Sequence, residues 1–265
     1  NCQNLKNEVD ILKQCKHLNI IRYINEWQDD EYIYIATELA EGGELLDHIL
    51  ERDHYSEEDA AAIVKQILSA ICYLHKNNIV HADIKPENVL LQKVPENYND
   101  QQEKFIPIIK MTDFGLSRFL DQQKLQGGSP GYIAPEVILK QDYTTQPDIY
   151  SLGVLTYCLI AGELLFDGKN PMAILQKQVR EDYSFNQIFQ QTTQECHDFV
   201  QKCLTKDFLK RPTAEELLND PWFETKSNTT INNKTELKKY KIEQKFRGTM
   251  ALMKLGQNVE DMFDL

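Results

Sequence analysis

Two short stretches hold side chains that together could move a charged group. The first is His81-Ala82-Asp83-Ile84-Lys85-Pro86-Glu87-Asn88-Val89-Leu90, and the second, downstream, is Met111-Thr112-Asp113-Phe114-Gly115. Apolar segments flank both, so they read as loops anchored in a core. Asp83 can orient or deprotonate an attacking hydroxyl, and Lys85, two residues on, can reach a phosphoryl group in transit. Asn88 and Asp113 offer the oxygen donors that a hard cation such as magnesium requires. Singly, Asp83 and Asn88 would pass as turn formers around Pro86. That reading leaves Lys85 and the second loop unexplained, whereas phosphoryl transfer from a nucleotide uses all four.

The elements that must position these loops are legible in outline. Leu5, Val9, Ile11, Leu12 and Cys15 have helical spacing over residues 4–16. Ile20-Ile21-Arg22-Tyr23-Ile24 and Tyr32-Ile33-Tyr34-Ile35-Ala36 read as strands of a hairpin turning at Asp29-Asp30. Gly42-Gly43 ends the strand region, and Glu44-Leu45-Leu46 opens a helix. Ser56-Glu57-Glu58-Asp59 has a helix N-cap followed by acids, and apolar spacing continues to about His75. Residues 92–107 are polar and aperiodic, an enlarged loop between two short strands. After Gly115 the pattern is mostly helical, broken at Pro135, Pro147, Pro171 and Pro212, and 224–235 reads as a polar linker.

Composition bounds the rest. The 265 residues are 42% hydrophobic and 26% charged, enough for a large core in one domain or two lobes. The net charge of −12 disfavours nucleic acid and suits basic peptides, though acidity also serves solubility. No apolar run approaches the ~20 residues of a membrane span, and no secretory signal leads the chain. Cys2, Cys15, Cys72, Cys158, Cys196 and Cys203 are scattered without a CxxC, as expected of buried thiols in a cytoplasmic protein rather than disulfides or zinc ligands. The chain opens on Asn1, not Met, which reads as a fragment, a processed form or a truncated gene model.

The two loops, with Ala134-Pro135-Glu136 after them, resemble the catalytic loop, the DFG metal-binding loop and the APE motif of protein kinases. The resemblance covers roughly residues 4–223. It implies an α+β, two-lobed kinase fold with the upper lobe incomplete in this chain. Residues 1–40 would be a partial upper lobe, 41–223 the mainly helical lower lobe, and 224–265 a linker and tail helix. Glu8 would be the ion-pair glutamate of the upper-lobe helix, although read alone it is a solvated helix-face residue. Thr37 would be the gatekeeper, with the Glu38 carbonyl and the Ala40 amide meeting the adenine. Glu44 would grip the ribose or a basic substrate side chain, and Glu87 would line the peptide groove. Ser129 would bond toward Asp83 and Lys85 in the loop that seats the residue after the phosphoacceptor. Its hydroxyl and the Asp-x-Lys spacing imply a serine/threonine kinase. Asp148 would brace the catalytic loop, and Arg211 would pair with Glu136. The implied cofactors are ATP and Mg2+, and the implied substrate is a protein with basic residues near the target Ser or Thr.

Three departures qualify the resemblance. Ala82 stands where the family has an arginine that docks a phosphorylated activation loop, and Ser117 is the only hydroxyl residue between Gly115 and Ser129. Nothing supplies the glycine-rich loop or the lysine that pairs with Glu8. The chain as given is therefore expected to be a poor kinase, and the rival expectation is a non-catalytic kinase-like scaffold. The third is a basic amphipathic tail, residues 236–255, in an acidic chain. It resembles the autoinhibitory and calmodulin-binding segment of calcium/calmodulin-dependent protein kinases, and Phe246, Met250 and Leu255 have the 1-5-10 anchor spacing. Calmodulin or a related calcium sensor is the partner this implies. The alternative is a helix docked on the lower lobe without calmodulin.

Overall fold

The computed structural model describes residues 2–52, 55–93, 106–120, 127–141, 144–227 and 229–254. Helix α1 (Cys2–Gln14) buries Val9, Ile11 and Leu12. Strands β1 (Tyr23–Gln28) and β2 (Ile33–Thr37) form an antiparallel hairpin with an irregularity between Tyr23 and Asn25. Asp29 closes its turn by accepting the amides of Glu31 and Tyr32. The first strand begins later than its apolar run suggested. Ile20 and Ile21 are buried and pair instead with Met111, beside the second loop.

The hairpin leads into α2 (Leu45–Glu51) and then α3 (Glu57–Lys76). Ser56 caps α3 through a reciprocal box: its hydroxyl accepts the Asp59 amide, and the Asp59 carboxylate accepts the Ser56 amide. Two short ladders follow. β3 (Ile79–Val80) pairs with β6 (Arg118–Phe119), and β4 (Val89–Leu91) pairs with β5 (Ile109–Met111), both antiparallel. The two loops that carry the chemistry are thus held at the ends of short, buried strands. Most of the enlarged loop between β4 and β5, residues 94–105, lies outside the described residues.

The lower part is helical: α4 (Pro135–Ile138), α5 (Gln146–Ala161), α6 (Pro171–Arg180), α7 (Gln194–Cys203), α8 (Ala214–Leu217) and α9 (Lys234–Lys254). Every residue of α5 is buried, as expected of a helix that is apolar on all sides and central to its core. Gly153 is needed there, because a Cβ would lie 2.6 Å from that of Cys203 on α7. Cys15, Cys72, Cys158, Cys196 and Cys203 are free and buried, and burial pushes the Cys158 thiol up to about 12.

The segment read as a polar linker is pinned to the lobe. Ser227 donates to Glu57, Thr230 bridges to Ser56, and the Ile231 amide donates to the Tyr55 carbonyl at 2.8 Å. Asn233 then donates to the carbonyls of Leu159 and Ile160, both at 2.9 Å, closing the C-terminal end of α5. Ser227 answers a buried carboxylate and Asn233 buried carbonyls, so polarity here marks a stitched strap. Among the described residues no helix is long and apolar enough to cross a membrane.

Candidate active site

The site is built on backbone that the core holds in an unusual conformation. Asp148, fully buried near the start of α5, accepts the amides of His81 and Ala82 at 2.9 Å each, and His75 Nε2 at 2.9 Å. Ala82 sits in the left-handed region at φ 67°, which costs a non-glycine residue about 1 kcal/mol or more. The two amide bonds to Asp148 fix that turn. Asp83 N donates to His81 Nδ1, so the imidazole proton lies on Nε2 and is donated to the Thr112 carbonyl at 3.2 Å. Ser117 Oγ, buried, donates to the His81 carbonyl, and the His81 and Phe114 rings pack with centroids 4.9 Å apart. One loop is therefore tied to the other.

Four polar side chains converge on this turn. Asp83 Oδ2 accepts from Lys85 Nζ at 2.6 Å, and Oδ1 accepts from Ser129 Oγ at 2.8 Å. Lys85 Nζ also donates to Ser129 Oγ at 2.8 Å. Asn88 Nδ2 donates to the Asp83 carbonyl at 2.8 Å and to its Oδ2 at 3.1 Å. Burial would push the Asp83 carboxyl up, but the Lys85 ammonium and the Ser129 hydroxyl outweigh it and hold the group below its usual range. Asp83 is thus an anion with aligned donors. The structure brings together Asp83, Lys85, Asn88 and Ser129, which the sequence placed up to 46 residues apart.

Asp113 stands at the rim, exposed, in the left-handed region at φ 61°. Its loop is anchored to Asn88, whose carbonyl accepts both the amide and the hydroxyl of Thr112. With its nitrogen committed to Asp83, Asn88 has only Oδ1 to offer a cation. Oδ1 and the Asp113 carboxylate make an all-oxygen donor set that fits magnesium. A Cβ at Gly115 would lie 3.2 Å from Asp113 Oδ1 and 3.6 Å from Glu8 Oε2, so both carboxylates converge on that glycine. Partial burial, and then the charge of Asp113, push the Glu8 carboxyl up. Among the described residues Glu8 makes no ion pair. Asn7 beside it donates to the Ser117 carbonyl at 2.7 Å, linking α1 to the start of the activation segment.

In the segment expected to meet the adenine, the Glu38 amide donates to the Arg22 carbonyl, and its carboxylate accepts the Arg22 amide and Lys110 Nζ at 2.8 Å. Thr37 ends β2, and Ala40 packs against the core. Outside the β1–β2 ladder, the Glu38 carbonyl and the Ala40 amide have no backbone partner among the described residues. Gly42 then passes so close to β4 that a Cβ would meet the Gln92 carbonyl at 2.3 Å. Lys110 was not singled out from the sequence, although a lysine within an apolar strand was a signal that it had a buried partner.

Glu44 and Glu87 are both occupied from within the chain. Glu44 Oε2 lies 3.0 Å from Lys241 Nζ, and Asp47 joins the same ammonium. Glu87 Oε1 accepts from the Tyr240 hydroxyl at 3.0 Å, while its enclosed Oε2 has no side-chain hydrogen-bond partner among the described residues. Burial pushes the Glu87 carboxyl up. Because Tyr240 gives its proton to Glu87, the Tyr132 hydroxyl must donate to Tyr240, at 2.6 Å. Tyr240 and Lys241 lie on α9, so the tail helix lies over the expected peptide groove. Phe246 and Met250 are on the same helix, but their side chains, like the whole of Leu255, fall outside the described residues.

Glu136 and Arg211 form the expected buried pair, bidentate at 2.6 and 3.1 Å. Arg211 also donates to the carbonyls of Gln146 and Thr205 and lies over the Tyr150 ring.

Comparison with known proteins agrees with this geometry. The protein kinase domain family matches residues 1–223, and the chain belongs to that family. It is 39% identical to myosin light chain kinase A of Dictyostelium discoideum, over 91% of this chain and 80% of that protein. It is 37% identical to the calcium/calmodulin-dependent protein kinase cmkB of Emericella nidulans (85% and 56%). Against the calcium/calmodulin-dependent protein kinase type 1 of Macrobrachium nipponense the figures are 32%, 86% and 65%. The chain thus spans less than two thirds of the latter two. Within the family it is a serine/threonine kinase similar to proteins named as calcium/calmodulin-dependent and myosin light chain kinases.

Proposed function

We propose that this protein transfers the terminal phosphoryl group of ATP to serine or threonine side chains of protein substrates, and that it favours targets with a basic residue nearby. One observation carries the reading: Asp83, Lys85, Ser129 and Asn88 form a closed hydrogen-bonded set at 2.6–3.1 Å. Asp83, ionised, accepts or orients the proton of the attacking hydroxyl. Lys85 sits beside that oxygen and offsets charge on the phosphoryl group as it moves. Asn88 Oδ1 and Asp113 would hold magnesium, whose chemistry is to clamp and neutralise the phosphate oxygens. Glu38 and Ala40 would present backbone groups to the adenine, with Thr37 beside them.

The basic preference is supported by Glu44 and Asp47, which already hold an ammonium, that of Lys241. A charge-assisted contact of this kind contributes ~1.5–3 kcal/mol when well formed, about tenfold or more in peptide choice. Tail control is supported by the same contacts. With α9 docked, Glu44, Asp47 and Glu87 are engaged by the chain itself, and a calcium sensor that captured the helix would free them.

The test is phosphorylation of a basic serine peptide by the native full-length protein with magnesium and ATP. Asp83→Asn should lower kcat by at least a hundredfold with the fold intact, because the carboxamide cannot take the proton. Binding of nucleotide or peptide without turnover in the native protein would instead make it a kinase-like scaffold.

A further inference from the structure

We propose that Gln178 is a positioning residue that holds the peptide-seating loop in register with Asp83, an inference that rests on the kinase reading above. Gln178 lies on α6, far in sequence from the catalytic loops, and its side chain is fully buried. Both ends of its carboxamide bond to one loop, and the buried Tyr150 hydroxyl lies against it as well. Oε1 accepts the Gly131 amide at 3.0 Å, and Nε2 donates to the Ile133 carbonyl at 2.7 Å. The side chain thus pairs with the backbone on either side of Tyr132, much as a neighbouring strand would.

The loop has few other ways to hold its shape. Gly131 is in the left-handed region at φ 101°, and a Cβ there would approach Leu164 at 3.2 Å. The Tyr132 amide closes a turn onto the Ser129 carbonyl at 2.9 Å, and its own carbonyl accepts Ser151 Oγ at 2.8 Å. Gly128 is packed against Ile133 so tightly that a Cβ would lie 2.8 Å from Cγ1. Gln178 fixes Gly131 and Ile133. Those fix the turn at Ser129 and the space at Gly128. Ser129 in turn donates to Asp83. The contact of Tyr132 with Tyr240 belongs to the tail helix. When that helix leaves, Gln178 and Ser151 are the described side chains still bonded to the backbone of residues 131–133, and the seat keeps its register for peptide.

Gln178→Met keeps the volume and removes both hydrogen bonds, leaving a buried amide and a buried carbonyl unpaired. In the native full-length protein the KM for peptide should rise about tenfold while the KM for ATP stays within about twofold. Discrimination among residues placed directly after the phosphoacceptor should narrow by a similar factor. A merely structural role would lower the melting temperature and leave that discrimination unchanged, and this result overturns the proposal. Gln178→Glu keeps the acceptor for Gly131 and serves should the first variant not accumulate. On the unaltered protein, hydrogen exchange at the Gly131 amide should be slowed at least a hundredfold against an exposed loop, and free exchange there also overturns the proposal. If the unaltered protein phosphorylates no peptide, the kinase reading falls, while the exchange measurement still decides whether the clamp exists.

Discussion

Asp148 shows how a single buried carboxylate can set a catalytic turn. It holds two consecutive amides and thereby keeps Ala82 left-handed. Two opposite outcomes follow from neighbouring substitutions. Ala82→Gly removes the Cβ strain and should raise stability by up to ~1 kcal/mol, less the extra freedom glycine gives the unfolded chain. Asp148→Ala leaves both amides buried without a partner and should cost at least ~2 kcal/mol, with loss of turnover. Denaturant unfolding separates the two. Breaking the buried Glu136–Arg211 pair by Arg211→Ala strands a carboxylate and should cost ~3–5 kcal/mol. Most of the residues at the turn were legible because their types are costly to place by chance within one short loop. Lys110 and Gln178 were not: a lysine in an apolar strand signals a buried partner without naming it, and an amide on a helix announces nothing until its partner arrives from elsewhere in the chain. Glu38 and Lys110, and Gly131 and Gln178, meet only after folding.

Elements were legible where local chemistry decided them and misread where distant packing did. The start of α3 was visible in Ser56 and the acids after it, and the capping box forms as those residues dictate. Ser56→Ala should therefore cost ~1 kcal/mol, read as a fall in melting temperature. The loss should exceed that of Thr213→Ala in the similar box at α8, because the Ser56 box is partly buried whereas the Thr213 box is exposed to competing water. The edge of β1 was misplaced because Ile20 and Ile21 look like strand but are claimed by Met111 from another ladder. The strap at 227–233 was misread for the same reason in reverse. Its serine, threonine and asparagine look like solvent-facing linker, yet Ser227 and Asn233 are buried because Glu57 and the carbonyls of Leu159 and Ile160 need donors. Glu57 itself, buried with no cation paired to it among the described residues, is satisfied by Trp222, Thr193 and Ser227.

At the scale of the molecule, the strap and the tail helix divide a permanent part of the lobe from a removable one. Through Asn233 the chain is built into the core: Ile231 is buried, and Asn233 closes α5. From Lys234 the helix holds the lobe with Leu237, Tyr240 and Lys241, and the last two engage the acids a basic peptide would need. The place of a truncation should therefore matter. Ending the chain after Asn233 should raise basal phosphorylation of a basic peptide several-fold, with a smaller loss of melting temperature than a cut that also takes the strap, since buried Leu237 and Tyr240 are removed in either case. Ending it after Phe223 removes the strap too and should lower the melting temperature by several degrees, obscuring any gain. In the full-length protein Lys241→Glu sets a carboxylate against Glu44 and Asp47, so undocking becomes favourable at low salt. Tyr240→Phe loses the proton that Glu87 accepts while keeping the ring. Both should raise basal activity without calcium, the charge reversal more strongly, and both should lower the peptide KM rather than the KM for ATP. Equal basal activity in the unaltered protein, the two variants and the Asn233 truncation would show that the docked helix does not obstruct the groove and that calcium control, if present, acts elsewhere.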